Sequence, residues 1–206
     1  MKEFEVIEFP GYKFKSQDEL FKALAKNEDR IIKVKKEQIF KSQHKGLFTP
    51  FANAVTEEET VKFNFEAKDD FIYPIISTTK FMDSHNDVHF DGCFKKTVKE
   101  QQGKISYVLD HEIKYDSIIA WPKDVEMIIS SMPWATVGKG FEGETQGLIF
   151  SIPKDKVKRK DVLEAIENKE HDFENSIRMI YHKIVLGLDS DDKEFKKQKK
   201  YYDKRS

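Results

Sequence analysis

The apolar residues of this 206-residue chain recur at two different periods, and the change falls near residue 60. Before it, Leu20, Phe21, Leu24, Ile31, Ile32 and Ile39 return at roughly helical spacing through a densely charged stretch. Ser16-Gln17-Asp18-Glu19 opens that stretch with Ser three residues ahead of Glu, so that each side chain can satisfy a backbone N–H at a helix start. The spacing predicts one helix of about 25 residues, from Ser16 to about Ser42, whose narrow apolar stripe docks on another element. Residues 44–59, with Gly46, Pro50 and the acidic triplet Glu57-Glu58-Glu59, read as a linker.

From Val61 the period becomes two. Val61, Phe63 and Phe65 alternate with Lys62, Asn64 and Glu66, and Phe71 to Ser77 is a β-rich apolar run. Asp91-Gly92 marks a turn before a short helix from Cys93 to Gln101, with Phe94 and Val98 on one face and Gly103 as its stop. Ile105 to Leu109 reads as a buried strand ending at Asp110-His111-Glu112. Residues 118–130 and 146–152 give further strands, Lys158 to Asn168 an amphipathic helix through Val162, Leu163 and Ile166, and Phe173 to Leu188 a long last strand. The tail from Asp189 is almost wholly charged. Three parts follow: a helical appendage with linker over 1–59, a β-rich domain over 60–188, and a charged tail over 189–206. The fold class is α+β, with a bent or closed, mostly antiparallel sheet flanked by helices.

Composition narrows the function. Lys and Arg total 36 and Asp and Glu 37, so no net field draws the chain to nucleic acid or to an anionic membrane. No run approaches the 18 apolar residues of a membrane span, and Met1-Lys2-Glu3-Phe4-Glu5 carries early acids in place of a signal-peptide core. One cysteine, Cys93, leaves no internal disulfide and suits a reducing compartment. The expectation is a soluble intracellular protein whose function lies in a site.

Two segments carry polar residues inside otherwise apolar strands. In Ile105-Ser106-Tyr107-Val108-Leu109-Asp110-His111-Glu112 a histidine sits where a buried strand emerges; in Glu174-Asn175-Ser176-Ile177-Arg178-Met179-Ile180-Tyr181-His182 a serine opens another. A hydroxyl becomes a useful nucleophile near neutral pH when an adjacent imidazole takes its proton. Such a pair needs rigid supports and a group that fixes the imidazole tautomer. By pattern alone, a His or Ser at a strand end is more often a hydrogen-bonded structural residue.

Five stretches in order add a resemblance. Ile76-Ser77-Thr78-Thr79-Lys80-Phe81-Met82-Asp83-Ser84-His85-Asn86-Asp87-Val88 resembles the opening signature of the tailed-phage prohead proteases. Asp91-Gly92-Cys93-Phe94-Lys95-Lys96-Thr97-Val98-Lys99-Glu100 is similar to their first helix, and Tyr107-Val108-Leu109-Asp110-His111-Glu112 to their catalytic-histidine strand. Gly147-Leu148-Ile149-Phe150-Ser151-Ile152 is similar to a later strand, and Asn175-Ser176-Ile177-Arg178-Met179 to the nucleophile strand. The resemblance spans about residues 70–188. It implies a closed β-barrel ringed by helices, as in the herpesvirus assemblins, and a serine endopeptidase with Ser176 as nucleophile and His111 as general base. It implies scaffold and capsid-protein segments as substrates, self-cleavage, possible self-association, and a place in the host cytoplasm inside the assembling procapsid. Acyl transfer by this pair needs no cofactor and no metal.

Two features depart from the family pattern. Arg178 stands where the family usually has Gly, on the strand face of Ser176, where it crowds the substrate or stabilises an oxyanion. The family usually continues into a further strand containing Glu-Val-Ser, whereas this sequence ends at Ser206, which leaves the third catalytic group open and raises the alternative of an inactive or truncated homologue acting in capsid assembly. His182 is the candidate third member, since it shares strand parity with Ser176 and the assemblins use a second His; six residues of straight strand, however, span ~20 Å.

Other signals have plainer readings. His85, His89, Asp83 and Asp87 can be read as a metal cluster, but the surrounding turn residues favour side chains that cap their own loop. Cys93 reads as a small core residue at a helix start, not a thiol nucleophile. The tail, with Tyr201 and Tyr202 among interleaved charges, reads as a solvated helix or a disordered end. For the N-terminal helix, the functional alternative to simple docking is a tether to scaffold or to a second protease copy.

Overall fold

The computed structural model describes residues 3–37, 40–47, 65–83, 85–168 and 174–205, without the side chains of 40–47, 174, 176, 178 and 205. The chain is an α+β protein with an antiparallel sheet and N-terminal helices, and it divides into two units: Met1–Lys41 with Arg178–Ser206, and Ser42–Ile177.

In the first unit, the expected long helix is two helices. Helix α1 (Gln17–Lys26) begins as the sequence predicts: the Ser16 hydroxyl accepts from the Glu19 N–H at 3.1 Å. Glu19 reaches back to the Lys15 N–H at 2.8 Å, one residue further than the usual reciprocal cap. The break falls at Asn27, whose side-chain amide donates to the Ala23 carbonyl at 2.8 Å and competes with the helical ladder. Asn27 then accepts from the Ile31 N–H at 2.9 Å, opening α2 (Glu28–Glu37). The helix ends there. Phe40–Leu47, expected as helix end and linker, forms strand β1, which pairs with the late strand β8 (Glu174–Met179). The alternating run Val61 to Phe63 and most of the linker lie outside the described residues.

In the second unit, the sheet is organised by β7 (Glu144–Pro153), which the sequence marks as apolar over residues 146–152. Strand β6 (Glu126–Pro133) pairs with it antiparallel from Glu126↔Ser151 to Pro133↔Glu144. On the other edge lie β2 (Phe71–Ile72) and β3 (Ile75–Thr78), the latter with a register shift between Ile75 and Ser77. Both faces are covered, and the side-chain period of two splits the core. Leu148, Phe150, Ile152, Met127 and Ile76 join one cluster, against which Val98, Leu163 and the buried Val162 and Ile166 pack. Those four come from helices α3 (Lys95–Gln101) and α4 (Lys160–Asn168). Ile149, Met132 and Ile75 turn the other way, into a cluster with Tyr73, Trp134 and Val137. Full burial of Ile149 and Ile152 stabilises the fold by about 2–3 kcal/mol each.

Strands β4 (Tyr107–Val108) and β5 (Ile118–Ala120) form a separate hairpin on the first cluster. The described strands make sheets of two, four and two strands and no closed barrel, because β6 pairs only with β7 among the described residues. The last strand also stops earlier than expected: β8 ends at Met179, and residues 180–188 have no regular structure. The tail forms a helix, largely exposed as expected, but two of its residues are buried. Helix α5 (Lys196–Tyr202) follows a tight turn in which Phe195 is 1% exposed, and Gln198 is buried. Within the same unit, Glu28 accepts from Lys197 at 3.0 Å and from Gln198 at 2.8 Å.

Candidate active site

Ile118, Ile119 and Ala120 are buried and anchor the hairpin that presents His111. Leu109 donates to the Ser117 carbonyl at 2.8 Å, extending the β4–β5 ladder by one rung. Glu112 then donates to the Leu109 carbonyl at 3.0 Å, closing a four-residue turn with Asp110 and His111 at its centre. Both central residues have left-handed backbones, with φ 50° and 56°. That is the pattern of a type I′ turn, which Gly and Asn adopt readily and other residues enter at a cost of roughly 1–2 kcal/mol each. His111 is half-buried at the head of this strained turn. Backbone strain on a titratable residue is a marker of functional positions.

Ser176 lies in β8 between Asn175 and Ile177. Its side chain and that of Arg178 are outside the described residues. Asn175 is 4% exposed, and Ile177 packs on the first core cluster, so these two share the inner face. The Tyr107 hydroxyl donates to Asn175 Oδ1 at 2.7 Å, across 68 residues of sequence. The strand that leads to His111 and the strand that holds Ser176 are therefore joined side chain to side chain. Tyr107 is half-buried, and desolvation of its hydroxyl raises its pKa above the ordinary phenol range. Sequence reasoning assigned neither Tyr107 nor Asn175 a role. The available signal was polarity: a buried phenol or amide in an apolar strand needs a partner.

His182 is exposed, in a bend beyond the end of β8. The shared strand parity that made it a candidate third member is absent, because the strand ends three residues before it.

Beside the loop after His111, an open cavity of about 320 Å³ is lined by Tyr115, Asp116, Ile118, Lys158 and Arg159. The Lys158 ammonium stands 4.5 Å from the Tyr115 ring centre and 4.8 Å from that of Trp121. Arg159 donates to the Asp116 carbonyl at 2.8 Å and pairs with Asp161.

The acidic and histidine-rich loop is self-capped. Asp83 accepts from the N–H groups of His85 at 2.8 Å and Asp87 at 3.0 Å. Thr79 ties the loop to β7: it donates to Asp91 and accepts from the Gln146 N–H at 3.0 Å, while its carbonyl accepts from Thr145 at 2.7 Å. Cys93 is exposed, not in the core as expected, since Phe94 takes the inward position. Desolvation of its packed side, then the Asp91 carboxylate, push the thiol up to about 12, the wrong direction for a nucleophile.

No helix among the described residues is long and apolar enough to cross a membrane. Fold and site together define an α+β protein with a strained, histidine-bearing hairpin bonded to the strand of a serine. No family model, curated protein or solved structure matches the chain.

Proposed function

We propose that this chain is a serine endopeptidase of the prohead-protease type, cleaving scaffold and capsid-protein segments, and itself, during phage capsid assembly. The observation that carries the reading is the 2.7 Å Tyr107–Asn175 hydrogen bond, which ties the neighbour of Ser176 to the strand that delivers His111. The strained turn at His111 supports it. The reading extends to the fold, taking the antiparallel sheets as parts of a barrel like that of the assemblins.

In this mechanism Ser176 Oγ attacks the scissile carbonyl carbon while His111 takes the hydroxyl proton. Backbone N–H groups near the nucleophile stabilise the oxyanion. The tetrahedral intermediate collapses as the C–N bond breaks, and His111 returns the proton to the departing amine. Water, deprotonated by His111, then attacks the acyl-enzyme and releases the acid and the free serine. Removing Ser176 lowers turnover by about 10⁶-fold in such sites.

The test pairs the parent with Ser176→Ala, incubated with scaffold and major capsid proteins and with a fluorophosphonate probe. Cleavage and labelling by the parent alone, with the label on Ser176, are the expected result. Equal cleavage by both proteins, or by neither, removes the hydrolase reading. A second reading, an inactive homologue that binds capsid protein during assembly, is favoured by Arg178 at the family's glycine position. Co-sedimentation with capsid protein without cleavage selects it.

A further inference from the structure

Asn175 is a costly residue for β8. It is 96% buried, yet among the described residues its amide is satisfied at one end only: Oδ1 accepts from Tyr107, and Nδ2 has no hydrogen-bond partner there. A strand with no use for an amide here is better served by leucine, because a buried polar atom without a partner is a net loss. Its neighbour on the same face, Ile177, shows that the local environment accepts an aliphatic side chain.

Tyr107 is aimed from the opposite side. Its ring meets the edge of Phe150, with centroids 5.9 Å apart and planes at 87°. Phe150 belongs to β7, the strand that organises the sheet, and is itself buried. Tyr107 also pairs with Ala120 at the base of the hairpin, where the register shifts before Val108. A chain of fixed contacts thus runs from the β7 core through Tyr107 to the backbone position before Ser176. From the same Tyr107, four residues of hairpin lead to His111.

We infer that Tyr107 and Asn175 are a positioning pair, which sets the register between the strand leading to His111 and the strand carrying Ser176, so that base and nucleophile meet. This rests on the hydrolase reading above. Neither residue touches substrate; the pair acts through the two it aligns. Displacing a catalytic group by about 1 Å costs on the order of 10²-fold in rate.

Four proteins decide it: the parent, Tyr107→Phe, Asn175→Leu, and the double variant. Each single change leaves one buried polar group stranded and lowers the melting temperature. The double change removes both groups, and the melting temperature returns to that of the parent. The rate of fluorophosphonate labelling at Ser176, and kcat for scaffold cleavage, fall about 10²-fold in the singles and stay down in the double, with KM unchanged. Recovery of labelling rate and kcat together with stability in the double variant makes the pair structural and overturns the inference. So does parental kcat in either single. If the singles do not fold, the double variant alone decides. A parent that is not labelled at Ser176 and cleaves nothing sinks the hydrolase reading itself, and the pair's role with it. That failure is recognisable because it precedes any change at the pair.

Discussion

His111 and Cys93 show how local surroundings assign opposite fates to two reactive side chains. His111 holds a left-handed backbone next to a second left-handed residue, Asp110. Glycine takes such a φ without the Cβ clash. His111→Gly is therefore expected to abolish proteolysis without lowering the urea midpoint, a stability–activity trade-off at one position; a lowered midpoint shows that the imidazole is structural. Cys93 is the reverse case. With its thiol pushed up to about 12, only about one molecule in 10⁴ carries a thiolate at pH 8, against roughly a quarter for an ordinary thiol. Iodoacetamide is expected to modify Cys93 slowly at pH 8, with a rate that rises about tenfold per pH unit from pH 8 to 11. A rate that levels off near pH 9 refutes the assignment.

Element by element, β7 shows what a sheet's central strand demands. Gly147 pairs opposite Ser130 and also faces β3, and a Cβ there would stand 2.5 Å from the terminal methyl of Met132. Met132 is wholly buried, so that methyl has little room to move. Gly147→Ala is expected to destabilise by about 1–3 kcal/mol in urea unfolding, and its combination with Met132→Ala to cost clearly less than the sum of the two single changes, because the added methyl occupies part of the space the methionine leaves. Strand β7 was legible from its apolar run, and α1 from its cap, because both signals are local. The split at Asn27 was not, since a helical stripe reads straight through one amide that bonds back to Ala23. Nor was β1: Phe40–Leu47 has few β-forming residues, and its strand state depends on pairing with β8 some 130 residues later.

At the scale of the whole molecule, the C-terminal tail is part of the fold of the first unit. Phe195 is 1% exposed and meets the edge of Phe21 with ring centroids 6.1 Å apart. The Glu28 carboxylate, 13% exposed, holds Lys197 and Gln198. Phe195→Ala is expected to cost about 3–5 kcal/mol and to make the first unit unfold at lower urea than the second, read by hydrogen exchange of α1 and α2. Unchanged exchange in those helices disproves the docking. Here the sequence misled, because one Phe among charges has no period, and burial was decided by α1 and α2.

Taken alone, the sequence determined the local matters: where α1 begins, that β7 is a buried apolar strand, and that charge is balanced. These follow from side-chain period and backbone hydrogen bonding within a few residues. Only the tertiary structure decided that Tyr107 meets Asn175, that β8 stops before His182, and that Phe195 and Gln198 of the tail are buried. Each of those depends on groups distant in sequence competing for the same buried space, and no local pattern records that competition.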